Sequence, residues 1–292
     1  MTTRRVTRAM LRRWPLPELD GALGKEDRGI VLVLGGSDEV PGAAVLAAVA
    51  ALRAGAGTVQ IATTRRMAGM IGVAIPEARV IGLPATRRGE IGRIGPTRLR
   101  KELGRARAVL LGPGMRDPAA PRELVALHRK TDAKATLVLD AGALAAVDGA
   151  RPEQVIITPH AGEMARLCGL ERDEVLADPQ KLACATAARL GVVVALKGAR
   201  TYVAGPDGEC FENTAGNLGL GTSGSGDTLS GVIAGLCARG ATPLQAAVWG
   251  VFLHARAGEV LAKKVAPLGF LARELLGEIP PLLAHCGPGG YR

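Results

Sequence analysis

The sequence predicts an α/β protein with a three-layer, doubly wound, mostly parallel sheet and helices on both faces. Short apolar runs recur along the chain, and each ends in glycine or a polar residue. Stretches of helical length, some of them rich in Ala, lie between these runs. Parallel strands that are buried on both faces have this continuous apolar character, and such sheets bind ligands beyond the carboxyl ends of their strands. We therefore expect the functional site along that edge.

The first half of the chain contains one complete strand–helix–strand unit. The apolar run GIVLVLGGS at 29–37 is followed by the Ala-rich GAAVLAAVAALRAGAG at 42–57 and by the β-branched TVQIATT at 58–64. The run AVLLGPGM at 108–115 repeats the change from an apolar strand to a glycine loop. Buried strands and an Ala-rich helix are the expected structures.

Four further strands are predicted between residues 135 and 205. ATLVLDAGAL at 135–144 leads into Asp140, and QVIITPHAGEMARL at 154–167 places a helix after its strand. GVVVALKGARTYVAG at 191–205 supplies two short strands joined at Lys197. No linker divides this pattern, so residues 19–292 are expected to form a single domain.

Much of the basic excess lies in the amino-terminal segment and at scattered sites. The formal net charge is +10, yet only 2% of the residues are aromatic, so side chains for base stacking are scarce. The segment 1–18 contains five Arg and no acid before Glu18, and we expect a basic, disordered leader there. Five cysteines without a C-x-x-C pair, and no apolar run of membrane-spanning length, predict a reduced cytoplasmic protein.

A glycine-rich stretch, GNLGLGTSGSGDTLSG at 216–231, precedes an apolar helix that Gly240 is expected to close. It lacks the preceding apolar strand of a dinucleotide fingerprint and the Lys of a Walker A loop. The start of a helix nevertheless offers unpaired amides and partial positive charge to an anion. Asp227 is here either an N-terminal cap or a base beside a bound phosphate.

Three more polar residues follow predicted strands. His160 is either a satisfied structural residue or a ligand contact. Glu163 fits the first turn of a helix, and this structural interpretation is favoured over a metal site from the residues alone. Lys197 follows an unbroken apolar run, so its ammonium needs an anionic partner, for which phosphate is the natural candidate.

Taken in order, six segments resemble the ribokinase-like superfamily and, more closely, its ADP/ATP-dependent NAD(P)H-hydrate dehydratases. Val40, where an aromatic residue is common, and Arg116, where Gly is usual, depart from the pattern. The resemblance covers roughly residues 20–285, and its segments are GGSDEVPGAAVLAAVAALRAGAG, GPGM, LDAGAL, TPHAGEMARL, LKGART and NTAGNLGLGTSGSGDTLSG.

The resemblance implies a lyase that uses ADP or ATP to return the S-epimers of the hydrates NADHX and NADPHX to NADH and NADPH. Phosphorylation makes the ring hydroxyl a good leaving group, and the ring nitrogen then helps to expel phosphate. Asp227 would accept the hydroxyl proton. The amides of Gly224, Ser225 and Gly226 would hold the charge on the transferred phosphoryl group.

The resemblance also implies the remaining site residues. Glu163 would organise Mg²⁺ through water. The hydrated dinucleotide would contact Ala43, Gly114, His160 and Asp227. The adenine nucleotide would contact Lys197, Gly198, Ala199, Arg200, Thr201, Asn217 and Gly226.

Two alternative functions share this fold prediction. A ribokinase-like kinase of a small vitamin-precursor alcohol would keep Asp227 and Lys197, whereas a non-catalytic nucleotide-binding regulator would not need Asp227. We expect a homo-oligomer, with a homotetramer as the candidate assembly, that acts with a separate NAD(P)HX epimerase. No nucleic-acid or membrane partner is expected.

Overall fold

The fold is organised by a ten-stranded sheet, seen in a computed structural model that describes residues 3–18, 24–95, 97–131, 134–150 and 154–286. The strand order is β1-β10-β9-β8-β7-β6-β5-β2-β3-β4. Only β9 runs antiparallel to its neighbours, so the sheet is mostly parallel, as expected. The strands are β1 (Thr3–Arg5), β2 (Ile30–Leu34), β3 (Thr58–Thr64), β4 (Arg79–Leu83), β5 (Ala108–Leu111), β6 (Thr136–Leu139), β7 (Val155–Ile157), β8 (Val193–Leu196), β9 (Thr201–Ala204) and β10 (Cys210–Asn213).

Helices cover both faces of the sheet and bury two apolar layers, which confirms the three-layer prediction. They are α1 (Arg8–Arg12), α2 (Pro41–Arg53), α3 (Arg65–Ala74), α4 (Arg100–Arg105), α5 (Ala119–Lys130), α6 (Ala161–Cys168), α7 (Arg172–Ala177), α8 (Pro179–Leu190), α9 (Ser225–Ala238), α10 (Pro243–Lys264) and α11 (Ala272–Cys286). Among the described residues, Ala141–Gly149 and Leu218–Leu220 form 3₁₀ segments.

Helix α9 is held against α2 by a very close approach of the two backbones. A Cβ at Gly231 would lie 2.2 Å from the carbonyl oxygen of Ala47, and one at Gly235 would lie 2.5 Å from that of Ala51. Only glycine permits this distance, so the two glycines let α9 pack closely on α2. This packing fixes the start of α9, where the glycine-rich loop ends.

Residues 3–18 of the amino-terminal segment are ordered, contrary to the expected disordered leader. Strand β1 pairs with β10, and Leu11 is fully buried. Trp14 stacks on Phe211 with 5.6 Å between ring centroids, and its carbonyl oxygen accepts a hydrogen bond of 3.0 Å from Trp249 Nε1. The expectation was wrong because it rested on charge alone, whereas the apolar residues between the arginines bury against the domain. The domain boundary at residue 18 itself stays a prediction.

The five cysteines are free, and all except the half-buried Cys168 are buried. Within the ranges given above, no helix has the length and apolar character needed to cross a bilayer.

Candidate active site

The carboxyl ends of five neighbouring parallel strands lie side by side at one edge of the sheet. In sheet order these strands are β8, β7, β6, β5 and β2. The residues that follow them are Lys197, Thr158–His160, Asp140, Gly112–Met115 and Gly35–Ser37. The topology therefore brings together motifs that are far apart in sequence, at the edge where open α/β sheets bind ligands.

Lys197 lies at the centre of a charged cluster at this edge. Its Nζ is 3.1 Å from Asp140 Oδ1 and 3.8 Å from Glu163 Oε2. Thr158 Oγ1 donates a further bond of 2.9 Å to Asp140 Oδ1. Burial by itself would lower the Lys197 pKa, but the carboxylates of Asp140 and Glu163 outweigh it and raise that pKa. The ammonium is therefore charged at neutral pH.

The anionic partner of Lys197 in the structure is Asp140 rather than a phosphate. The Asp140 side chain is only 4% exposed, so the two charges form a nearly buried pair. The sequence placed Asp140 at a strand end but gave it no role, because a single Asp after a strand carries no specific signal. Contact of Lys197 with a nucleotide stays a prediction.

Helix α9 begins without a side-chain cap. Its N-cap is Gly224, whose φ of 85° lies in the left-handed region that glycine adopts without strain. Asp227 is the third helical residue and makes no capping bond, so the cap interpretation of Asp227 is wrong. The amide of Ser225 donates 3.2 Å to the Thr222 carbonyl, which removes one of the three amides predicted to bind phosphate.

The Asp227 carboxylate is destabilised as an anion. Burial, and secondly the nearby charge of Asp140, raise its pKa to about 7, against the opposing effect of Lys197. The helix start lies beside this lysine, because a Cβ at Gly226 would be 3.4 Å from Lys197 Nζ. An acid with a pKa near 7 can hold or release a proton under physiological conditions, as a general base must.

A buried histidine supports the start of α9 from behind. His254 Nε2 lies 3.0 Å from Ser225 Oγ, and burial lowers the His254 pKa to about 4, so the ring is neutral at physiological pH. Sequence reasoning missed His254 because it lies within an apolar helix with no motif around it.

Asn217 carries an amide group that is partly unsatisfied. Its Oδ1 accepts a bond of 2.9 Å from the amide of Gly219. Its Nδ2 is buried and has no hydrogen-bond partner within the described part of the chain. Because a buried donor without a partner is costly, this nitrogen is suited to a ligand that brings an acceptor.

His160 and Glu163 form a reciprocal capping box at the start of α6. His160 Nδ1 accepts from the amides of Gly162 and Glu163, and Glu163 Oε2 accepts from the His160 amide at 2.8 Å. The structural interpretation of both residues is therefore realised. Among the described residues, no group of three or more His, Cys, Asp or Glu side chains is arranged to hold a metal ion.

The other predicted positions lie on either side of this cluster. A Cβ at Gly114, which has a φ of 68°, would lie 2.9 Å from Ala43 Cβ, so these two predicted substrate contacts are adjacent. Gly198, Ala199 and Arg200 are exposed between β8 and β9. The Arg200 guanidinium binds Glu212 at 3.1 Å rather than pointing free into solvent.

The sheet and its charged edge define the class of protein as a ribokinase-like α/β enzyme. A ribokinase-like superfamily protein from Enterococcus faecalis superposes with a TM-score of 0.81 at 26% identity, covering 98% of this chain and 96% of that one. The family model described as NAD(P)H-hydrate dehydratase matches residues 31–281. The chain belongs to the NAD(P)H-hydrate dehydratase family, which confirms the family expected from the sequence.

Two similar dehydratases cover nearly the whole chain. An ADP-dependent (S)-NAD(P)H-hydrate dehydratase from Xanthomonas campestris is 49% identical over 96% of each chain. The ADP/ATP-dependent NAD(P)H-hydrate dehydratase from Bacillus subtilis, co-crystallized with ATP and Mg²⁺, has a TM-score of 0.80 at 31% identity, covering 98% of this chain and 99% of that one. A longer relative named as a bifunctional NAD(P)H-hydrate repair enzyme is matched over 54% of its length.

Proposed function

We propose that this protein uses ADP or ATP to dehydrate the S-epimers of NADHX and NADPHX to NADH and NADPH. The proposal rests on the surroundings of Asp227. This residue has a carboxyl group with a pKa of about 7, beside a charged lysine and at an uncapped helix start. A base for phosphoryl transfer needs a raised pKa, a nearby positive charge for the phosphate and open amides, whereas a structural acid needs none of these.

The reaction begins at the ring hydroxyl of the hydrate. The Asp227 carboxylate takes the hydroxyl proton, and the hydroxyl oxygen forms a bond to the terminal phosphorus of the nucleotide. The bond from that phosphorus to its bridging oxygen breaks, and the nucleotide leaves with one phosphate fewer. The ring nitrogen lone pair then expels phosphate with cleavage of the carbon–oxygen bond. Loss of a proton from the neighbouring ring carbon restores the dihydronicotinamide.

The phosphates of the nucleotide lie between the start of α9 and Lys197 in this proposal. The amides of Gly224 and Gly226, which have no hydrogen-bond partner among the described residues, donate to the transferred group. The unpartnered Nδ2 of Asn217 supplies another donor. Lys197, already held by Asp140, adds positive charge without having to move far.

The residues at this edge fit an Mg²⁺ ion that is held mainly by phosphate oxygens and water. Glu163 offers one carboxylate, and its Oε2 already accepts from the His160 amide, so the protein alone provides no complete ligand set. Mg²⁺ keeps several waters and is commonly bound by one or two carboxylates together with substrate phosphates. The ion would supply charge neutralisation at the phosphates, with Glu163 orienting one of its waters.

The substrate and partner assignments complete the proposal. The hydrated dinucleotide contacts the adjacent Ala43 and Gly114 and, at the neighbouring strand ends, the exposed His160. The nucleotide base is bound by the loop from Gly198 to Thr201. The protein acts in the cytoplasm as a homo-oligomer, and a separate epimerase supplies the S-epimer.

The experiment is recovery of reduced-nicotinamide absorbance from purified NADPHX in the presence of Mg²⁺ and either ADP or ATP. We expect recovery only with nucleotide, with release of one phosphate for each NADPH formed. Absence of recovery, combined with nucleotide-dependent phosphorylation of a small alcohol, would support the vitamin-precursor kinase instead. Nucleotide binding without either reaction would support the regulator.

A further inference from the structure

A cavity lies away from the candidate active site. Its volume is about 640 Å³, and its walls come from the segment after β1, the end of β10, α10 and α11. The face of α10 that carries Phe252 and Arg256 lines it. His254, which contacts Ser225, lies on roughly the opposite side of the same helix. Cavities of about 300–1,000 Å³ are typical of small-molecule sites.

The inner surface of this cavity is apolar. Val6 is 6% exposed, Phe252 is also 6% exposed and Cys286 is 3% exposed. Leu282 and Pro281 continue the same surface along α11. An aromatic ring or a short aliphatic chain placed here would lose contact with water on most sides, which is favourable for apolar groups.

The rim of the cavity carries positive charge that the described residues do not neutralise. Arg5 donates to Thr214 Oγ1 at 2.9 Å, and Arg8 donates to the carbonyl oxygen of His285, so both contacts are with neutral oxygens. No carboxylate in the described part of the chain pairs with either guanidinium.

The two acids that line the cavity already have basic partners. Glu259 binds Arg256, and Glu278 binds Lys264 with oxygens at 2.9 and 3.0 Å. The charge left over at the rim is therefore that of Arg5 and Arg8. Guanidinium groups match phosphate oxygens in geometry as well as charge.

We propose that this cavity is a second ligand site, for a small organic phosphate whose body is aromatic or aliphatic. The phosphate binds Arg5 and Arg8 at the rim. The apolar body packs on Val6, Phe252 and Leu282. Neither the reaction nor the nucleotide loop uses any of these residues.

One hydrogen bond connects the cavity with the candidate active site. Glu259 Oε1 accepts from the amide of Gly216 at 3.0 Å, while its other oxygen binds Arg256. Gly216 directly precedes Asn217, whose free Nδ2 is the proposed nucleotide contact. An apolar body that packs on Phe252 displaces the neighbouring Arg256 on the same face of α10, and with it Glu259, so occupation of the cavity changes nucleotide affinity.

The test uses 1-naphthyl phosphate as the probe, measured by calorimetry on the full chain with ATP and Mg²⁺ kept at saturation. We expect binding at least ten-fold tighter than that of inorganic phosphate or of 1-naphthol. The double substitution Arg5→Gln with Arg8→Gln is expected to weaken binding at least ten-fold. Arg4→Gln is the matched control, because Arg4 alternates to the other face of β1 and lies 5.9 Å over the Phe211 ring.

The result that overturns the site is loss of all probe binding at saturating ATP, together with equal binding by the double variant in the absence of ATP. Such a probe would be binding only at the active site. Leu282→Trp provides a second test that leaves the arginines in place, since its larger ring fills the cavity and should weaken the probe at least ten-fold. An ATP dissociation constant that the probe leaves unchanged overturns the connection through Glu259.

Discussion

Two helices that start at the same edge of the sheet each carry an acidic residue at the third position. In one helix the carboxylate takes part in the cap, and in the other it does not. Helix α6 has Glu163 as its third residue, and α9 has Asp227 as its third residue. Glu163 returns a hydrogen bond to the amide of His160, which in turn caps the helix. Asp227 follows the bare N-cap Gly224 and makes no capping bond.

The comparison shows how the same helix position can be structural in one place and available for chemistry in another. A capping box satisfies the amides of the first turn and uses the carboxylate in doing so. Where a glycine replaces the capping side chain, the amides of Gly224 and Gly226 remain open to a ligand, and the acid is not bonded to the N-cap amide. Burial then raises the pKa of Asp227 to about 7, which suits proton transfer.

The largest effect is expected from Asp227→Asn, which removes the proposed base of α9. Asn keeps the size of the side chain but cannot take a proton, so we expect turnover of the hydrate to fall by about 10²–10⁴-fold. The melting temperature and the ATP affinity should stay close to those of the unmodified protein, because no capping bond is lost. Absorbance recovery, thermal unfolding and calorimetry measure the three quantities.

A matched control is available on α8, where Asp178 does cap its helix by accepting from the amide of Lys181 at 3.0 Å. Asp178→Asn should leave turnover unchanged, since Asn caps about as well as Asp. Turnover of the Asp227→Asn protein within a few-fold of the unmodified rate would contradict the role of Asp227 as the base.

A smaller effect is expected in the dependence of the reaction on pH. The reactive form of Asp227 is the carboxylate, and its pKa is raised to about 7. The rate should therefore rise with pH up to about 7, by roughly ten-fold per unit on the acid side, and level off above it. An Asp with the ordinary pKa of 3.8 would already be ionised at pH 5.5, so the rate would stay level between pH 5.5 and 8.

The pH profile is measured under saturating ATP, with the ATP affinity followed over the same range as the control. A rate that is flat from pH 5.5 to 8 while the fold is intact would contradict a base with a raised pKa. If weaker ATP binding at low pH caused the same profile, the ATP affinity would fall together with the rate as the pH is lowered.

Much of this site could be predicted from sequence because most of its motifs follow a strand, and the motif with Asp227 opens a helix. The apolar run before Lys197 and the glycines before Asp227 are local patterns, and the parallel topology then places them together. Asp140 and His254 could not be found in this way. Their roles depend on distances of 3.1 Å to Lys197 and 3.0 Å to Ser225, across sequence separations of 57 and 29 residues.

The fold of the amino-terminal segment could not be predicted from its own sequence. Its arginines predicted a solvated leader, but strand pairing with β10 and the stacking of Trp14 on Phe211 are contacts with residues some 200 positions away. Net charge does not decide whether a segment folds when its apolar residues find a surface to cover.

The smallest expected effect comes from Glu163→Gln, which separates the capping role from the proposed Mg²⁺ role. Gln also serves in a capping box, so the free energy of unfolding should fall by only about 0.3–1 kcal/mol. Glu174→Gln is the matched control, because Glu174 is the third residue of α7 and bonds the Glu171 amide in the same way. Both variants should lose similar stability in chemical denaturation.

The two variants should differ in their response to Mg²⁺. If Glu163 orients a water of the ion, Glu163→Gln should need more Mg²⁺ for half-maximal turnover, and Glu174→Gln should not. Lys197 Nζ lies 3.8 Å from Glu163 Oε2, so the substitution also removes a negative charge beside the ammonium. That change alone would strengthen nucleotide phosphate binding at every Mg²⁺ concentration, whereas loss of a metal contact is overcome by adding Mg²⁺. Coincident Mg²⁺ titrations for both variants would leave Glu163 with the capping role alone.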